Sequence, residues 1–115
     1  MRVAVVGSGP PGIYAANSLA SGGDAQVDVL ERLPAPFGLA RYGVAPDHPK
    51  IKSSCGTLEE LLTQPGVRFL GNVEVGTDVT VAELLGLYDA VLLSYGASDD
   101  RHLGIPGEDL PGSID

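Results

Sequence analysis

Continuous aliphatic runs, which suit strands covered on both faces of a parallel sheet, occur near both ends of the chain. Residues 3–6 form a β-branched run that glycines stop, and residues 89–94 form a second run of the same buried type. Between them, residues 26–31 alternate in polarity and end in an acid, while residues 67–70 and 73–76 read as shorter extended segments. The pattern predicts a sheet of parallel strands.

Helical periodicity fills the gaps between these strands. Apolar residues recur at helical spacing over residues 10–19, and three leucines share one face of a predicted helix over residues 53–63. Thr80 and Glu83 have the spacing of a capping box at the start of a third, short helix. Strand, helix and strand follow one another within the first thirty residues, which predicts a βαβ unit in a three-layer, Rossmann-like α/β domain.

Two segments show neither the helical nor the strand pattern of apolar residues. Residues 32–49 contain four prolines and two glycines and are predicted to form one long loop. Compact domains rarely keep an irregular connection of this length without a function, so we expect the loop to bind something. Residues 105–115 contain two Pro-Gly pairs and are predicted to be a linker-like tail of a single domain spanning residues 1–115.

Composition narrows the functional classes. The chain has 115 residues and a formal net charge of -8, so it lacks the basic patch that nucleic-acid binding requires. Cys55 is the single cysteine and forms no intrachain disulfide, which favours a reducing, cytoplasm-like compartment; a mitochondrial matrix location would require a transit peptide that has been removed. The apolar start is too short for a membrane span, and no metal site is predicted.

The hexamer at residues 7–12, G-S-G-P-P-G, carries the clearest chemistry because it follows a predicted strand and opens a predicted helix. In a G-x-G-x-x-G loop, Gly7 permits the tight turn, Gly9 lets the backbone approach a pyrophosphate, and Gly12 lets the helix pack on the sheet. Glu31 follows Gly12 by nineteen residues, the spacing of an acid that binds a ribose hydroxyl. We expect the pyrophosphate at the helix N-terminus, where free N–H groups favour anions.

The hexamer leaves FAD and NAD(P) open as the ligand. The carboxylate of Glu31 argues against NADP at this site because it would repel a 2′-phosphate, although the neighbouring Arg32 weakens that argument. The fold prediction therefore requires a further signal to select the cofactor.

That signal is a set of longer runs: G-S-G-P-x-G, P-F-G-L-x-R-x-G-V-A-P-D-H-P, G-N-V-E-V-G-x-D-V-T, L-S-Y-G-A and I-P-G-E-x-L-P-G. Through them, nearly the whole chain resembles the amino-terminal FAD-binding part of adrenodoxin reductase and the related ferredoxin-NADP reductases. The resemblance implies FAD as cofactor in a two-domain enzyme that passes electrons from NADPH through FAD to a ferredoxin-type iron-sulfur protein.

The resemblance also implies individual site residues. Asp47 and His48 would lie beside the flavin ring as catalytic candidates, although a lone loop histidine often serves only to position a hydrogen bond. The other expected residues contact the pyrophosphate, the adenosine or the flavin. These cofactor-binding candidates are Gly7, Ser8, Gly9, Pro10, Gly12, Glu31, Arg32, Gly38, Leu39, Val75, Gly96 and Ala97.

Two departures accompany the resemblance. Pro11 has no N–H to offer a phosphate. The chain ends at Asp115, where the resemblance implies that an inserted NADPH-binding domain begins, so the expected domain is partial and its activity as an enzyme stays open.

We therefore expect an FAD-binding redox module. A non-enzymatic FAD-binding fragment or minimal engineered domain remains an alternative, as does a plain NAD-binding domain. A partial FAD domain would also expose an apolar sheet edge, which predicts a homo-oligomer.

Overall fold

The computed structural model describes residues 1–45, 47–97 and 101–112, with the side chains of residues 50–52 left undescribed. Pro46 of the predicted loop and residues 113–115 of the predicted tail therefore lie outside the described residues. The described elements alternate along the chain as β1 (Arg2–Val6), α1 (Pro10–Ser21), β2 (Gln26–Leu30), α2 (Leu39–Tyr42), α3 (Pro49–Leu62), β3 (Val67–Leu70), α4 (Val81–Leu87) and β4 (Ala90–Leu93).

The four strands form one parallel sheet in the order β3-β2-β1-β4. Val6 at the end of β1 is in register with Leu30 of β2 and Leu93 of β4, so the carboxyl ends of three strands lie along one edge. This arrangement confirms the predicted Rossmann-like α/β class with a parallel central sheet.

Alternating residues of the sheet face two different layers. On one face, Val3, Val5, Val27 and Val29 pack in a cluster with the buried side chains of α1 and α3. On the other face, Ala4, Val6 and Leu30 pack against Leu84 of α4 and half-buried valines of the 73–79 segment. Both central strands are thus covered on both faces, as the continuous aliphatic run of β1 requires.

The helix starts reflect their sequences. The first two positions of α1 are Pro10 and Pro11, where a missing N–H costs nothing because those N–H groups have no intrahelical acceptor. The predicted capping box of α4 is confirmed: the Glu83 N–H donates to the Thr80 side chain at 3.2 Å, and the Thr80 N–H donates to the Glu83 carboxylate at 2.8 Å.

The prediction of one continuous loop over residues 32–49 was wrong in two places. A single helical turn, α2, lies within it, closed by N–H groups of residues 40–42 that donate to the carbonyls of Phe37 and Gly38. In addition, α3 starts at Pro49, four residues before the predicted start, because proline is accepted at the first helical position. A helix of four residues is too short to show periodicity.

The prediction that residues 89–94 form a buried strand was wrong about burial. In the described part of the chain, β4 lies at one edge of the sheet beside β1, and its Leu92 is 38% and its Leu93 is 52% exposed. Within the described ranges, no helix is long and apolar enough to cross a membrane.

Candidate functional site

The glycine loop after β1 has the conformation that only glycine tolerates well. Gly7 has φ +105°, and a Cβ at this position would overlap the carbonyl group of Ser94 after β4. A Cβ on Gly12 would overlap the carbonyl oxygen of Gly7. These two glycines therefore allow α1 to pack directly against the ends of β1 and β4, which places the helix N-terminus at the edge of the sheet.

Gly9 differs because the space around it is open. A Cβ there would meet only the ring of Pro11, at 3.9 Å, so the exposed side of this backbone is free for a ligand to approach. Among the described residues, the N–H groups of Gly9 and Gly12 find no hydrogen-bond acceptor, whereas Ile13 N–H donates to the carbonyl of Gly9. Together with the positive end of the α1 dipole, these two donors suit an anion.

Glu31 follows the end of β2, and its carboxylate reaches the glycine loop. Oε2 accepts hydrogen bonds from the Ser8 hydroxyl at 2.6 Å and the Ser8 N–H at 3.0 Å, and Oε1 accepts one from the Leu33 N–H at 3.1 Å. Burial by itself raises the pKa of Glu31, but the hydrogen bonds from Ser8 and Leu33 and the charge of Arg32 together hold it below its ordinary value. The carboxylate is therefore ionised at neutral pH.

A second segment lies against the glycine loop from the other side. Phe37 donates its N–H to the Ser8 carbonyl at 3.0 Å, and a Cβ on Gly38 would lie 3.3 Å from the Cα of Gly9. Phe37 has φ +90°, an unfavourable conformation for a bulky residue, yet its side chain is 97% buried (3% exposed). The sequence analysis did not single out Phe37 as a site residue, and the apolar ring in a proline-rich loop was the available signal.

A pocket of about 400 Å³ opens at the same edge of the sheet, a volume within the range of small-molecule sites. It brings together four of the predicted cofactor-binding residues, Gly7, Glu31, Arg32 and Val75. The sequence analysis missed most of the other residues that line it, although their positions at or just after the strand ends were a usable signal. The remaining lining residues are Val6, Leu30, Val73, Glu74, Gly76, Val81, Leu93 and Tyr95.

The other candidates do not line this pocket. Pro10 is the first residue of α1, and Leu39 is the first residue of α2, where it is 74% exposed. Gly96 and Ala97 are exposed in the segment after β4, and Gly96 has φ +70° with open space around it. These positions fit backbone contacts better than side-chain contacts.

The two catalytic candidates, Asp47 and His48, lie just before α3. Nδ1 of His48 is 2.8 Å from Oδ1 of Asp47, and both side chains are mostly exposed. Because an aspartate paired with a histidine can fix the orientation of the ring, the pair is suited to holding a proton at a defined atom.

The arrangement as a whole suits a dinucleotide. The N–H groups of Gly9 and Gly12 lie at the start of α1, the ionised carboxylate of Glu31 contacts the same loop through Ser8, and Gly7 and Glu31 line a partly apolar pocket. Within the part of the chain that the structure describes, these features converge at the carboxyl edge of the sheet, where ligands of open α/β folds bind.

The chain is similar to a family of Rossmann-like domains and to known reductases. Residues 5–57 match the family model of an NAD(P)-binding Rossmann-like domain. Human mitochondrial NADPH:adrenodoxin oxidoreductase is 54% identical over 111 residues, and the NADPH-ferredoxin reductase FprA of Mycobacterium leprae is also 54% identical. The structure of Mycobacterium tuberculosis FprA in complex with NADPH superposes with a TM-score of 0.90 at 53% identity.

These matches cover nearly all of this chain but only part of each relative. They include 96% of this chain and 23% of the human enzyme, and 98% of this chain and 26% of each mycobacterial protein. The chain thus spans about a quarter of the length of the relatives it matches. The resemblance inferred from the sequence is confirmed as a match to the amino-terminal region of these reductases.

Proposed function

Because the chain corresponds to the amino-terminal quarter of NADPH-dependent ferredoxin and adrenodoxin reductases, we propose that it binds FAD as part of a flavoprotein oxidoreductase. One observation carries this proposal. The unpaired N–H groups of Gly9 and Gly12 and the ionised carboxylate of Glu31 all lie at the same edge of the sheet. A pyrophosphate and an adenosine ribose need these two kinds of group side by side.

The binding roles follow from position. The glycine loop holds the pyrophosphate, Glu31 accepts from the adenosine ribose, and Val75 contacts the adenine in the pocket that both residues line. Arg32, at the mouth of the same pocket, adds a positive charge that balances the phosphates.

Four further residues contact the cofactor through their backbones. Gly38 lies beside Gly9, and Leu39 follows it with an exposed side chain, so both present main-chain atoms along the loop. Gly96 and Ala97 extend from the end of β4 towards the phosphates, on the side where Gly7 abuts Ser94. Backbone contacts of this kind tolerate side-chain variation but not a bulky substitution at Gly38.

FAD, when bound, supplies the electron-transfer chemistry, and the protein supplies binding and orientation. In this proposal, Nδ1 of His48 pairs with the Asp47 carboxylate, which orients the ring and leaves Nε2 to face the flavin. We propose that this site takes part in passing electrons from NADPH to a ferredoxin-type partner, since the relatives are named NADPH:adrenodoxin oxidoreductase and NADPH-ferredoxin reductase.

The direct test is a titration of the purified protein with FAD and, separately, with NADH. We expect saturable FAD binding, visible as flavin absorbance that co-elutes with the protein and as FAD mass in the intact complex. Saturable NADH binding without any FAD binding would overturn the proposal in favour of a plain NAD-binding domain. A colourless protein that cannot be reconstituted with FAD would also contradict it.

We further propose that the chain self-associates through β4. Among the described residues, β4 has no strand partner besides β1, and Leu92 and Leu93 of β4 and the nearby Tyr95 are exposed to solvent. Sedimentation should show a dimer or a larger species at micromolar concentration, and a monomer would contradict the proposal.

For the location of the chain, we propose a reducing compartment, the cytoplasm. The thiol of Cys55 is free and half-buried. Cell fractionation that places the protein in an oxidising compartment would contradict this location.

A further inference from the structure

Ser8 occupies an unusual position among the predicted site residues because its polar groups are already engaged inside the protein. Its side chain is fully buried, its N–H and hydroxyl both donate to Oε2 of Glu31, and its carbonyl accepts the N–H of Phe37. The two donors of Ser8 are therefore committed to a carboxylate, which leaves Gly9 and Gly12 as the donors for a pyrophosphate.

The hydrogen bonds that Glu31 already accepts leave room for one more donor from a ligand. An ionised carboxylate offers about four acceptor positions. Ser8 fills two on Oε2 and the Leu33 N–H fills one on Oε1, so one position remains, and it lies on Oε1. One ribose hydroxyl can donate there without displacing any protein contact.

We propose that Ser8 is a positioning residue whose two hydrogen bonds hold the Glu31 carboxylate in the orientation that accepts a single ribose hydroxyl, and that it thereby sets the preference for a ribose without a 2′-phosphate. The inference rests on the nucleotide binding proposed above. It adds that the discrimination between riboses with and without a 2′-phosphate depends on the side chain of Ser8. Ser8 acts through Glu31 and does not contact the phosphates.

Several polar groups share the pocket with Glu31. Arg32 favours the carboxylate form of Glu31, and Glu74 and Tyr95 line the same pocket. Hydrogen bonds from Ser8 are the largest of the influences that lower the pKa of Glu31 against its burial. Removing the hydroxyl should therefore move that pKa upward.

The first experiment uses the protein without cofactor. A carbon-13 NMR titration of the glutamate side chains should give Glu31 a lower pKa in the wild type than in Ser8→Ala. The matched control is Ser21→Ala, whose hydroxyl donates to the Asn17 carbonyl within α1, and it should leave Glu31 unchanged. Equal Glu31 pKa values in wild type and Ser8→Ala would overturn the proposal, whether or not any nucleotide binds.

If Ser8→Ala does not fold, a measurement on the wild type tests the same proposal. The Ser8 amide proton donates to Glu31, so its chemical shift should follow the same titration curve as the Glu31 carboxyl carbon. An Ser8 amide that does not respond to the Glu31 titration would overturn the proposal without any variant.

The second experiment measures binding of two probes, ADP and its 2′-phosphorylated form, by calorimetry. Ser8→Ala should weaken ADP binding about tenfold at neutral pH, as expected for a lost hydrogen bond to a charged group, and should narrow the preference for ADP over the phosphorylated probe. Its ADP affinity should also fall at a higher pH on acidification than that of the wild type. An unchanged preference and pH profile would refute the role of Ser8, whereas failure of ADP and FAD to bind the wild type would refute the proposed function alone.

Discussion

Arg68 on β3 and Asp28 on β2 form a two-pronged ion pair across the sheet, with Nε to Oδ1 at 2.8 Å and Nη2 to Oδ2 at 2.7 Å. The hydroxyl of Tyr88 donates to the same Oδ2 at 2.6 Å, and the guanidinium of Arg2 lies over the Tyr88 ring. Asp28 is only 7% exposed, so its charge is stabilised by these donors and not by water. The cluster joins β1, β2, β3 and the C-terminal end of α4, and none of its residues lines the pocket.

The first prediction concerns this cluster and stability. Tyr88→Phe removes one donor from Asp28 and should lower the free energy of unfolding by about 1 kcal/mol. Asp28→Ala leaves the Tyr88 hydroxyl without its acceptor and should cost about 2 kcal/mol. Urea denaturation measures both effects, with Tyr14→Phe as the control because Tyr14 is half exposed on α1. FAD affinity should not change, and an unaltered urea midpoint in Asp28→Ala would refute the structural role of the cluster.

The second prediction concerns acid stability. Burial raises the pKa of Asp28, but the donors Arg68 and Tyr88 hold it below its ordinary 3.8, and Glu31 is likewise held below its ordinary 4.5. Groups whose pKa is lower in the folded state stabilise it above their unfolded pKa, and this stabilisation is lost as the pH falls through the folded pKa. The urea midpoint should therefore stay constant as the pH is lowered to about 4.5, and it should decrease at lower pH.

A variant of Asp28 serves as the control for the dependence of stability on acidic pH. Asp28→Asn removes one of the carboxyl groups whose pKa is lowered in the folded state and should make the fall of the urea midpoint below pH 3.8 less steep. A midpoint that rises on acidification of the wild type, or a slope unaffected by Asp28→Asn, would contradict the assignment.

The third prediction compares two glycines that both lie inside helices. Gly12→Ala places a Cβ against the carbonyl of Gly7 and should lower the free energy of unfolding by about 2 to 4 kcal/mol, or prevent folding. A Cβ on Gly56 of α3 would meet no described atom within 4 Å outside the backbone of its own helix. Gly56→Ala should therefore raise the free energy of unfolding by about 0.5 to 1 kcal/mol, because alanine is the better helix former. Denaturation midpoints measure both, and equal effects of the two substitutions would show that α1 does not pack on the sheet as described.

Local spacing explains why much of the site could be predicted. The loop at residues 7–12 and the acid at Glu31 follow from short-range signals, a strand that ends in glycines and a fixed separation along one βαβ unit. The capping box of α4 follows in the same way from Thr80 and Glu83. Each of these features needs only neighbouring residues in the sequence.

The features that could not be predicted depend on contacts between residues that are far apart in the sequence. Asp28 contacts Arg68 and Tyr88, which lie 40 and 60 residues away in sequence, and no spacing rule links them. The exposure of β4 depends on the strand order, which an aliphatic run does not encode. The positive φ of Phe37 arises from its hydrogen bond to Ser8, a tertiary contact invisible in the loop sequence.

The binding of FAD at the glycine loop is tested most directly by the affinity of Gly9→Val for FAD, measured against Gly56→Val as a matched control. Gly9 has an ordinary φ of -68° and open space around it, so the valine should leave the fold intact while blocking the approach of the pyrophosphate. The account predicts that Gly9→Val loses FAD affinity by on the order of a hundredfold, about 2.7 kcal/mol, while Gly56→Val binds FAD like the wild type. A folded Gly9→Val protein that binds FAD as tightly as the wild type would contradict it.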